Sequence, residues 1–299
     1  MNNKTLTTGS TRSLAGWMFI GPAFLVLAVF FFLPTLAALL MSLTDYDLYA
    51  LGDLNNLRFV AFDNYVVLLK DERFWKSLGN TFYFVAIGVP ASVGLSLSSA
   101  LLLNSKLTRF RTFFRVSLFA PVVTTLVAVA LVWRYIFHTR YGLLNYGLST
   151  VGIEPIDWLG DPHWAMPSIA LLAVWKNFGY NMIIFIAALQ SIPQDLYEAA
   201  RIDGASPWQQ FRHVTLPSLA PTLMLVGILT TAGYFQVFSE PYMMTEGGPL
   251  QSTTSVLYFM YEEGFKWWSL GRASAVAFVL FVIIFSLTLL QIRFARRHA

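Results

Sequence analysis

The sequence predicts an all-α membrane protein with six transmembrane helices and with both termini in the cytoplasm. Three observations predict this fold class. Of the 299 residues, 56% are hydrophobic and only 12% are charged, which excludes an ordinary soluble domain. Six apolar runs each reach the roughly 20 helical residues that cross about 30 Å of hydrocarbon. Lys and Arg residues fall unevenly in the connections between these runs, and this bias sets the orientation.

The apolar runs divide the chain into spans, loops and tails. The first run is longer than the apolar part of a signal peptide, and no convincing cleavage site follows it, so we interpret it as a retained span. Residues 44–79 form an outer loop that is too short for a domain, and we expect a short helix in it around Asp63–Lys70. Residues 1–16 and 293–299 are cytoplasmic tails, and residues 80–292 form the core. The expected spans are 17–43, 80–103, 113–137, 166–190, 216–238 and 272–292.

The distribution of charge favours a cytoplasmic N-terminus. In that orientation the cytoplasmic connections carry eleven basic residues and three acidic ones, whereas the outer connections carry more acids than bases. The net charge of +4 is therefore explained by topology and does not indicate a nucleic-acid partner. The cytoplasmic bases are Lys4, Arg12, Lys106, Arg109, Arg111, Arg115, Arg201, Arg212, Arg293, Arg296 and Arg297.

The polar connection over residues 191–215 has the capping residues of two short helices. Pro193 suits the start of a first helix, and Gly204 suits a left-handed stop after it. Ser206, Pro207 and Gln209 predict a capping box that begins a second helix. A loop that only joined two spans would need neither helix. Its exposed apolar faces predict a docking surface for another protein, formed by Leu196, Ala199, Ala200 and Asp203 on the first helix and by Trp208 and Phe211 on the second.

The spacing within this connection resembles the "EAA" loop of ABC-importer permeases. The full pattern of that loop is present: Glu198-Ala199-Ala200 is followed after three residues by Gly204, and after nine more by Val214-x-Leu216-Pro217. The resemblance implies a coupling helix that docks into a cytoplasmic ATPase subunit, with Glu198 paired to a basic residue there. The alternative for Glu198 is a local ion pair with Arg201, three residues on. The coupling residues that the resemblance implies are Glu198, Ala199, Ala200, Asp203, Gly204, Ala205, Trp208, Phe211 and Pro217.

Two further stretches resemble the larger permease subunit of oligosaccharide (maltose-type) importers. They are the Thr245-x-Gly-Gly-Pro249 run, which predicts a tight turn, and residues 175–182. The resemblance covers about 166–292 and implies the type I importer permease (MetI-like) fold in a bacterial inner membrane. It also implies a second permease subunit in a heterodimer, two ABC ATPase subunits that hold ATP and Mg, an extracytoplasmic sugar-binding protein, and surrounding membrane lipid.

Lys176 lies about ten residues into the fourth span, or roughly 15 Å deep. A buried cation normally faces a wet cavity or a partner group. Lys176 is therefore either a translocation-path residue or half of an ion pair, with Glu240 or with a partner subunit. The resemblance implies that the faces of spans four and five line a sugar site, although such residues can also only join helices by hydrogen bonds. The implied substrate-path residues are Lys176, Asn177, Tyr180, Thr230, Gly233, Tyr234 and Gln236.

The chemistry of the chain does not indicate an enzyme. It has no cysteine and no phosphate-binding Gly-Lys-Ser/Thr loop, so any ATP must bind to another subunit. Its four histidines lie apart, without carboxylates at ligand spacing, and predict neither a metal site nor a catalytic pair. We therefore expect no catalytic residue and no cofactor in this chain. The expected function is uptake of a disaccharide, an oligosaccharide or a related polyol by an ABC importer. One alternative is an ion-coupled secondary transporter, which should show an acid in the membrane or an inverted repeat. The other is a membrane-embedded hydrolase, which should show carboxylates, histidines or a nucleophile–base pair inside the membrane.

Overall fold

The computed structural model describes residues 8–105 and 109–296. Within these ranges the regular structure is helical, and the only strand-like pairing is an isolated bridge between Thr44 and Phe59. The expectations for Lys4, Lys106 and Arg297 lie outside the described residues. The contacts divide the chain into one unit formed by residues 1–70 and 260–278 and another formed by residues 71–259 and 279–299.

The first unit begins with helical chain from Thr8 to Ser42. Its helices are α1 (Thr8–Leu27), α2 (Leu33–Ser42), α3 (Leu48–Gly52) and α4 (Asp63–Lys70), with a π-helical turn at Ala28–Phe32 and a 3-10 turn at Leu54–Asn56. Helix α4 confirms the short helix that we expected in the first loop. The apolar side chains of 17–40 are largely exposed, as those of a helix that faces lipid or another protein are.

Residues 43–65 fold back on the end of α2. The amide of the buried Asn64 donates to the carbonyls of Ser42 and Thr44, at 2.9 and 2.8 Å. Asp45 accepts from the backbone N–H of Arg58 at 2.7 Å and from its side chain at 2.8 Å. The backbone hydrogen bond from Arg58 is the main cause of a lowered pKa at Asp45. This loop is therefore held by its own polar contacts.

The second unit contains the remaining helices. They are α5 (Glu72–Asn104), α6 (Arg111–Val123), α7 (Leu126–Ile136), α8 (Leu143–Thr150), α9 (Pro162–Ser191), α10 (Gln194–Ile202), α11 (Pro207–Gln210), α12 (Leu216–Ser218), α13 (Ala220–Phe235), α14 (Ser239–Met244) and α15 (Val256–Tyr261). The boundary after Phe259 falls within α15, whose last two residues belong to the first unit, and helix α16 (Leu270–Arg296) begins in the first unit and ends in the second.

Helices α5 and α9 form the centre of the second unit. Asp71 caps α5 by accepting from the N–H of Arg73 at 2.8 Å, so the helix begins eight residues before the apolar span that we expected over 80–103. Asp161 caps α9 through the N–H of His163, and this hydrogen bond lowers the pKa of Asp161. The two helices pack closely, and Ser96 of α5 donates to the carbonyl of Phe178 at 2.8 Å.

The third and fifth predicted spans are not single continuous helices. The run 113–137 is broken after Val123, and α6 and α7 meet at 101°. The run 216–238 is broken at Leu219, where α12 (Leu216–Ser218) and α13 (Ala220–Phe235) are separated by a bend of 64°. The described chain thus contains four helices that are long and apolar enough to cross a membrane, and up to six spans if each bent pair is counted as one.

Candidate functional site

The first helix of the 191–215 connection ends as its sequence predicts. Gly204 has a φ of +78°, which a side chain would disfavour. The N–H of Ala205 donates to the carbonyl of Ala200 at 2.9 Å, and the N–H of Gly204 donates to that of Arg201 at 3.0 Å. These two bonds form a Schellman motif, so the stop at the end of α10 is rigid and local.

The capping box of the second helix is also present. The backbone N–H of Ser206 donates to Oε1 of Gln209 at 2.7 Å, and the Ser206 hydroxyl accepts from the N–H of Gln209 at 3.4 Å. Pro207 is the first helical residue. The helix is short, but a π-helical turn at Phe211–Thr215 continues it into α12. A hydrogen bond of 2.9 Å between the hydroxyls of Tyr197 and Thr215 joins the two halves of the loop.

The surface of this loop is open. Glu198, Ala199, Asp203, Gly204, Trp208 and Pro217 are exposed, and Ala200, Ala205 and Phe211 are half-buried. Trp208 is 67% exposed, and the one aromatic ring of the described chain that its own ring packs against is that of Phe211, at 5.4 Å between centroids. An exposed tryptophan beside an amphipathic helix is typical of a protein–protein contact.

Glu198 does not form the local ion pair that was its alternative role. Within the described residues its carboxylate has no ion-pair partner, and the guanidinium of Arg201 donates instead to the carbonyl of Tyr197 at 3.2 Å. The carboxylate is therefore accessible to a group outside this chain.

A cavity of about 300 Å³, the helix cavity, lies among α5, α6, α9, α13 and the residues that follow α13. Five of the seven predicted substrate-path residues line it, namely Asn177, Tyr180, Thr230, Gly233 and Tyr234. Lys176 and Gln236 do not, and the exposed amide of Gln236 donates to the carbonyl of Ala232. The lining residues that we did not predict are Phe84, Val122, Ala173, Asn181, Leu229, Val237 and Glu240.

The polar wall of the helix cavity joins α9 to α13. The buried amide of Asn181 donates to the hydroxyl of Thr230 at 2.9 Å, and the amide of Asn177 donates to the carbonyl of Ala173 at 2.9 Å. Asn181 lies four residues after Asn177 and therefore on the same face of α9. This i, i+4 spacing is the sequence signal from which Asn181 could have been predicted.

The aromatic wall depends on a glycine in α5. Tyr234 stacks on Phe84 with 5.2 Å between centroids and 29° between planes. A Cβ atom on Gly88 would collide with the Tyr234 ring. The absence of a side chain at Gly88 therefore leaves the space that the Tyr234 ring occupies beside the helix cavity.

Lys176 binds the break in the third predicted span. Its ammonium donates to the carbonyls of Pro121, Val122 and Thr124, at 3.1, 3.4 and 2.9 Å. A cation suits this place, since the carbonyls at the end of α6 have no partners within their helix and carry partial negative charge. Lys176 forms no ion pair with Glu240 in the described structure.

The Gly-Gly-Pro run forms the tight turn that we expected, and it packs against α5. Gly247 has a φ of +82°. The ammonium of Lys76 donates to the carbonyl of Leu250 at 2.6 Å, and the amide of Asn80 donates to those of Gln251 and Thr254. The run is therefore fixed against the start of the second predicted span.

Residues 71–299 match the family described as "Binding-protein-dependent transport system inner membrane component". The chain belongs to this family. It is 37% identical to the lactose transport system permease protein LacF of Rhizobium radiobacter, over 95% of this chain and 94% of that one. It is 34% identical to the trehalose/maltose transport system permease protein MalF of Thermococcus litoralis, over 99% and 98%. The resemblance to permeases of sugar ABC importers is therefore confirmed.

The fold is that of importer permeases. A bacterial ABC transporter involved in the import of the acidic polysaccharide alginate superposes with a TM-score of 0.80 at 23% identity, over 96% of each chain. A bacterial alginate ABC transporter in complex with an alginate pentasaccharide-bound periplasmic protein gives a TM-score of 0.81 at 22% identity, over 98% of this chain and 97% of that one. The family and the long apolar helices together make this chain a multi-pass membrane protein.

Proposed function

We propose that this chain is one permease subunit of an ATP-driven, binding-protein-dependent sugar importer in a bacterial inner membrane. The observation that carries the proposal is the exposed loop over residues 191–215, with both of its caps formed and Glu198 unpaired among the described residues. The named activities of the relatives, lactose and trehalose/maltose transport, support a sugar as the substrate.

In this proposal each bent helix pair crosses the membrane once, which gives six spans with both termini inside. The distribution of Lys and Arg supports that orientation, because cytoplasmic connections are normally the ones rich in these residues. In this orientation Arg201 and Arg212 lie on the cytoplasmic side. The loop 191–215 then faces the cytoplasm, where an ATPase subunit would bind it. One chain supplies half of a pathway, so a second permease subunit, two ATPase subunits with ATP and Mg, and an external binding protein complete the complex.

The connectivity explains how the loop would act on the substrate. The loop follows directly from α9 and leads through α12 into α13, and these two helices carry the polar wall of the helix cavity. A displacement of the loop by the ATPases is therefore passed to both sides of that wall. Such a rigid lever, acting on packed helices, can switch a cavity between two access states.

The lining of the helix cavity suits a carbohydrate. The ring of Tyr234 offers an apolar face for sugar C–H groups, while Asn177, Asn181 and Thr230 offer amide and hydroxyl groups for sugar hydroxyls. Neutral hydrogen-bonding groups beside aromatic faces recognise a polyol without requiring a charge on it. We propose that the lining residues of α9 and α13 contact the sugar, and that Lys176 acts by fixing the α6–α7 break.

Reconstitution tests the proposal. The complex that co-purifies with this chain is placed in liposomes with ATP inside, and uptake of radiolabelled lactose and trehalose is measured with and without the binding protein outside. We expect uptake that needs both ATP and the binding protein. Asn181→Ala should reduce uptake more than Gln236→Ala, which changes a polar side chain outside the cavity. Uptake that runs on a proton or sodium gradient without ATP would contradict the proposal and favour a secondary transporter.

A further inference from the structure

A second cavity of about 600 Å³, the loop cavity, lies at the end of α7 and near the N-terminus of α9. None of the predicted site residues lines it. Helix α9 has 30 residues, so its two ends, one near this cavity and one at the 191–215 loop, lie roughly 45 Å apart along its axis. The loop cavity is lined by Leu131, Arg134, Tyr135, Phe137, His138, Thr139, Tyr141, Asp157, Leu159, Gly160 and Met244.

The walls of the loop cavity are held by one buried asparagine. The Asn145 side chain is 4% exposed, and its amide nitrogen donates to the carbonyls of Thr139 and Ile156 at 2.9 and 2.8 Å. Its oxygen accepts from the N–H of Ile156 and from the indole of Trp158, at 3.1 and 2.9 Å. Four hydrogen bonds satisfy this side chain and tie the two wall-forming loops together. The cavity is therefore formed before any ligand binds, as ligand sites usually are.

One wall presents aromatic faces. The rings of His138 and Tyr141 are parallel within 13° and 3.4 Å apart between centroids, and the ring of Tyr135 follows at 6.5 Å from that of Tyr141. Tyr135 and Tyr141 are 68% and 65% exposed. Large exposed rings at the end of a helix and on the fixed loop after it provide flat apolar surface at little entropic cost, which suits the C–H face of a pyranose.

The polar groups that line the loop cavity include one carboxylate, that of Asp157, and one guanidinium, that of Arg134. Oδ1 of Asp157 accepts from the hydroxyl of Thr139 and the N–H of Gly160, both at 3.0 Å, so the carboxylate is held in place. Arg134 has no hydrogen-bond or ion-pair partner among the described residues. Arg134 and Glu246 also line an adjoining cavity of about 330 Å³. A fixed acceptor and an unused five-donor group complement the hydroxyls of a neutral sugar.

We propose that the loop cavity is a carbohydrate-binding subsite at the outer mouth of the permease, which holds the sugar between its release from the binding protein and its arrival in the helix cavity. The inference rests on the proposed function for the sugar and for the outward orientation of this end. The aromatic wall and the Arg134–Asp157 set favour a neutral sugar of one or two pyranose rings.

A local fluorescent reporter tests the subsite. The chain has no cysteine, so Arg140→Cys, at an exposed position beside the aromatic wall, gives a single attachment point for a solvatochromic dye in this subunit. The labelled complex, assembled with cysteine-free partner subunits in nanodiscs without the binding protein, is titrated with lactose and with trehalose. We expect a saturable change in emission with at least one of the two sugars.

Matched tyrosine variants test the aromatic wall. Tyr141→Ala should raise the dissociation constant at least about fivefold, since an aromatic–sugar contact of roughly 1 kcal/mol is lost. Tyr146→Ala removes an equally exposed tyrosine (71%) of α8 that lies outside the cavity, and it should leave the constant unchanged. Equal constants in all three proteins would overturn the proposal, as would the absence of a saturable change with both sugars.

The same titration separates this proposal from two other results. If the unliganded binding protein changes the emission while free sugar does not, the cavity is a protein contact and the proposal is wrong. The dye reports binding without ATP or transport. A sugar response in a complex without ATP-dependent uptake would therefore contradict only the proposed function, whereas normal uptake with no sugar response would contradict only the subsite.

Discussion

Replacing Lys176 with methionine removes the group that binds the break between α6 and α7. Methionine has a similar length and tolerates an apolar environment, so the change deletes the charge and the donors with little change of volume. Three carbonyls lose a hydrogen bond, and two of them, those of Val122 and Thr124, accept from no other group in the described chain. The carbonyl of Pro121 keeps its bonds from the N–H and hydroxyl of Thr124.

The magnitude follows from the two carbonyls that lose their only partner. An unpaired buried carbonyl costs about 1–3 kcal/mol, but the carbonyl of Val122 is half-buried and loses only a 3.4 Å bond, and that of Thr124 is exposed in this chain. We therefore expect a loss of about 1–2 kcal/mol in the free energy of unfolding, out of the roughly 5–15 kcal/mol that holds a folded protein together. At about 2 °C for each kcal/mol, the melting temperature should fall by about 2–4 °C.

The assay is thermal unfolding of the purified complex in detergent, with Lys176→Arg as the matched control. Arginine keeps a charge and several donors at this position, so its melting temperature should lie closer to that of the unchanged protein. If Lys176→Met abolished sugar uptake but left the melting temperature unchanged, Lys176 would act on the substrate, and our account of the break would be refuted.

Three further substitutions have definite expected results. Glu198→Lys reverses the charge of an exposed side chain. Uptake should fall about tenfold or more while the melting temperature stays constant, as expected for a lost intersubunit contact. A lower melting temperature together with the lower uptake would point to a folding defect. Gly204→Val forces a β-branched residue to a φ of +78°, which costs about 1–2 kcal/mol, and it should weaken the stimulation of ATP hydrolysis by the liganded binding protein. Gly88→Ala displaces the Tyr234 ring and should raise the sugar concentration for half-maximal uptake, whereas Gly94→Ala, on the same helix with open space around it, should not; equal effects of the two would contradict the role of Gly88.

The features that the sequence predicted correctly are those with local causes. The stop at Gly204 and the capping box at Ser206 and Gln209 each depend on residues within one helical turn, so the sequence contains all of their chemistry. Helix α4 likewise matches its expected range. Five of the seven substrate-path residues implied by the resemblance share one cavity because α9 and α13 are long helices whose faces follow from residue spacing. Their contact with a substrate stays a prediction.

The features that the sequence could not predict arise from distant parts of the chain. The run 113–137 is predominantly apolar, with no sign of a break, and the residue that binds its break, Lys176, lies about fifty residues later. The role of Phe84 at the helix cavity depends on how α5 packs against α13. Asn145 forms the loop cavity by joining two segments of loop whose proximity no periodic pattern indicates. In each case the deciding contact is tertiary.

Native mass spectrometry of the protein, gently solubilised from its own membranes, tests the central claim most directly. The claim is that this chain couples to ATPase subunits through the loop over residues 191–215. The account predicts a particle that contains this chain, a second permease subunit and two ATPase subunits. A homo-oligomer of this chain without any ATPase would contradict it.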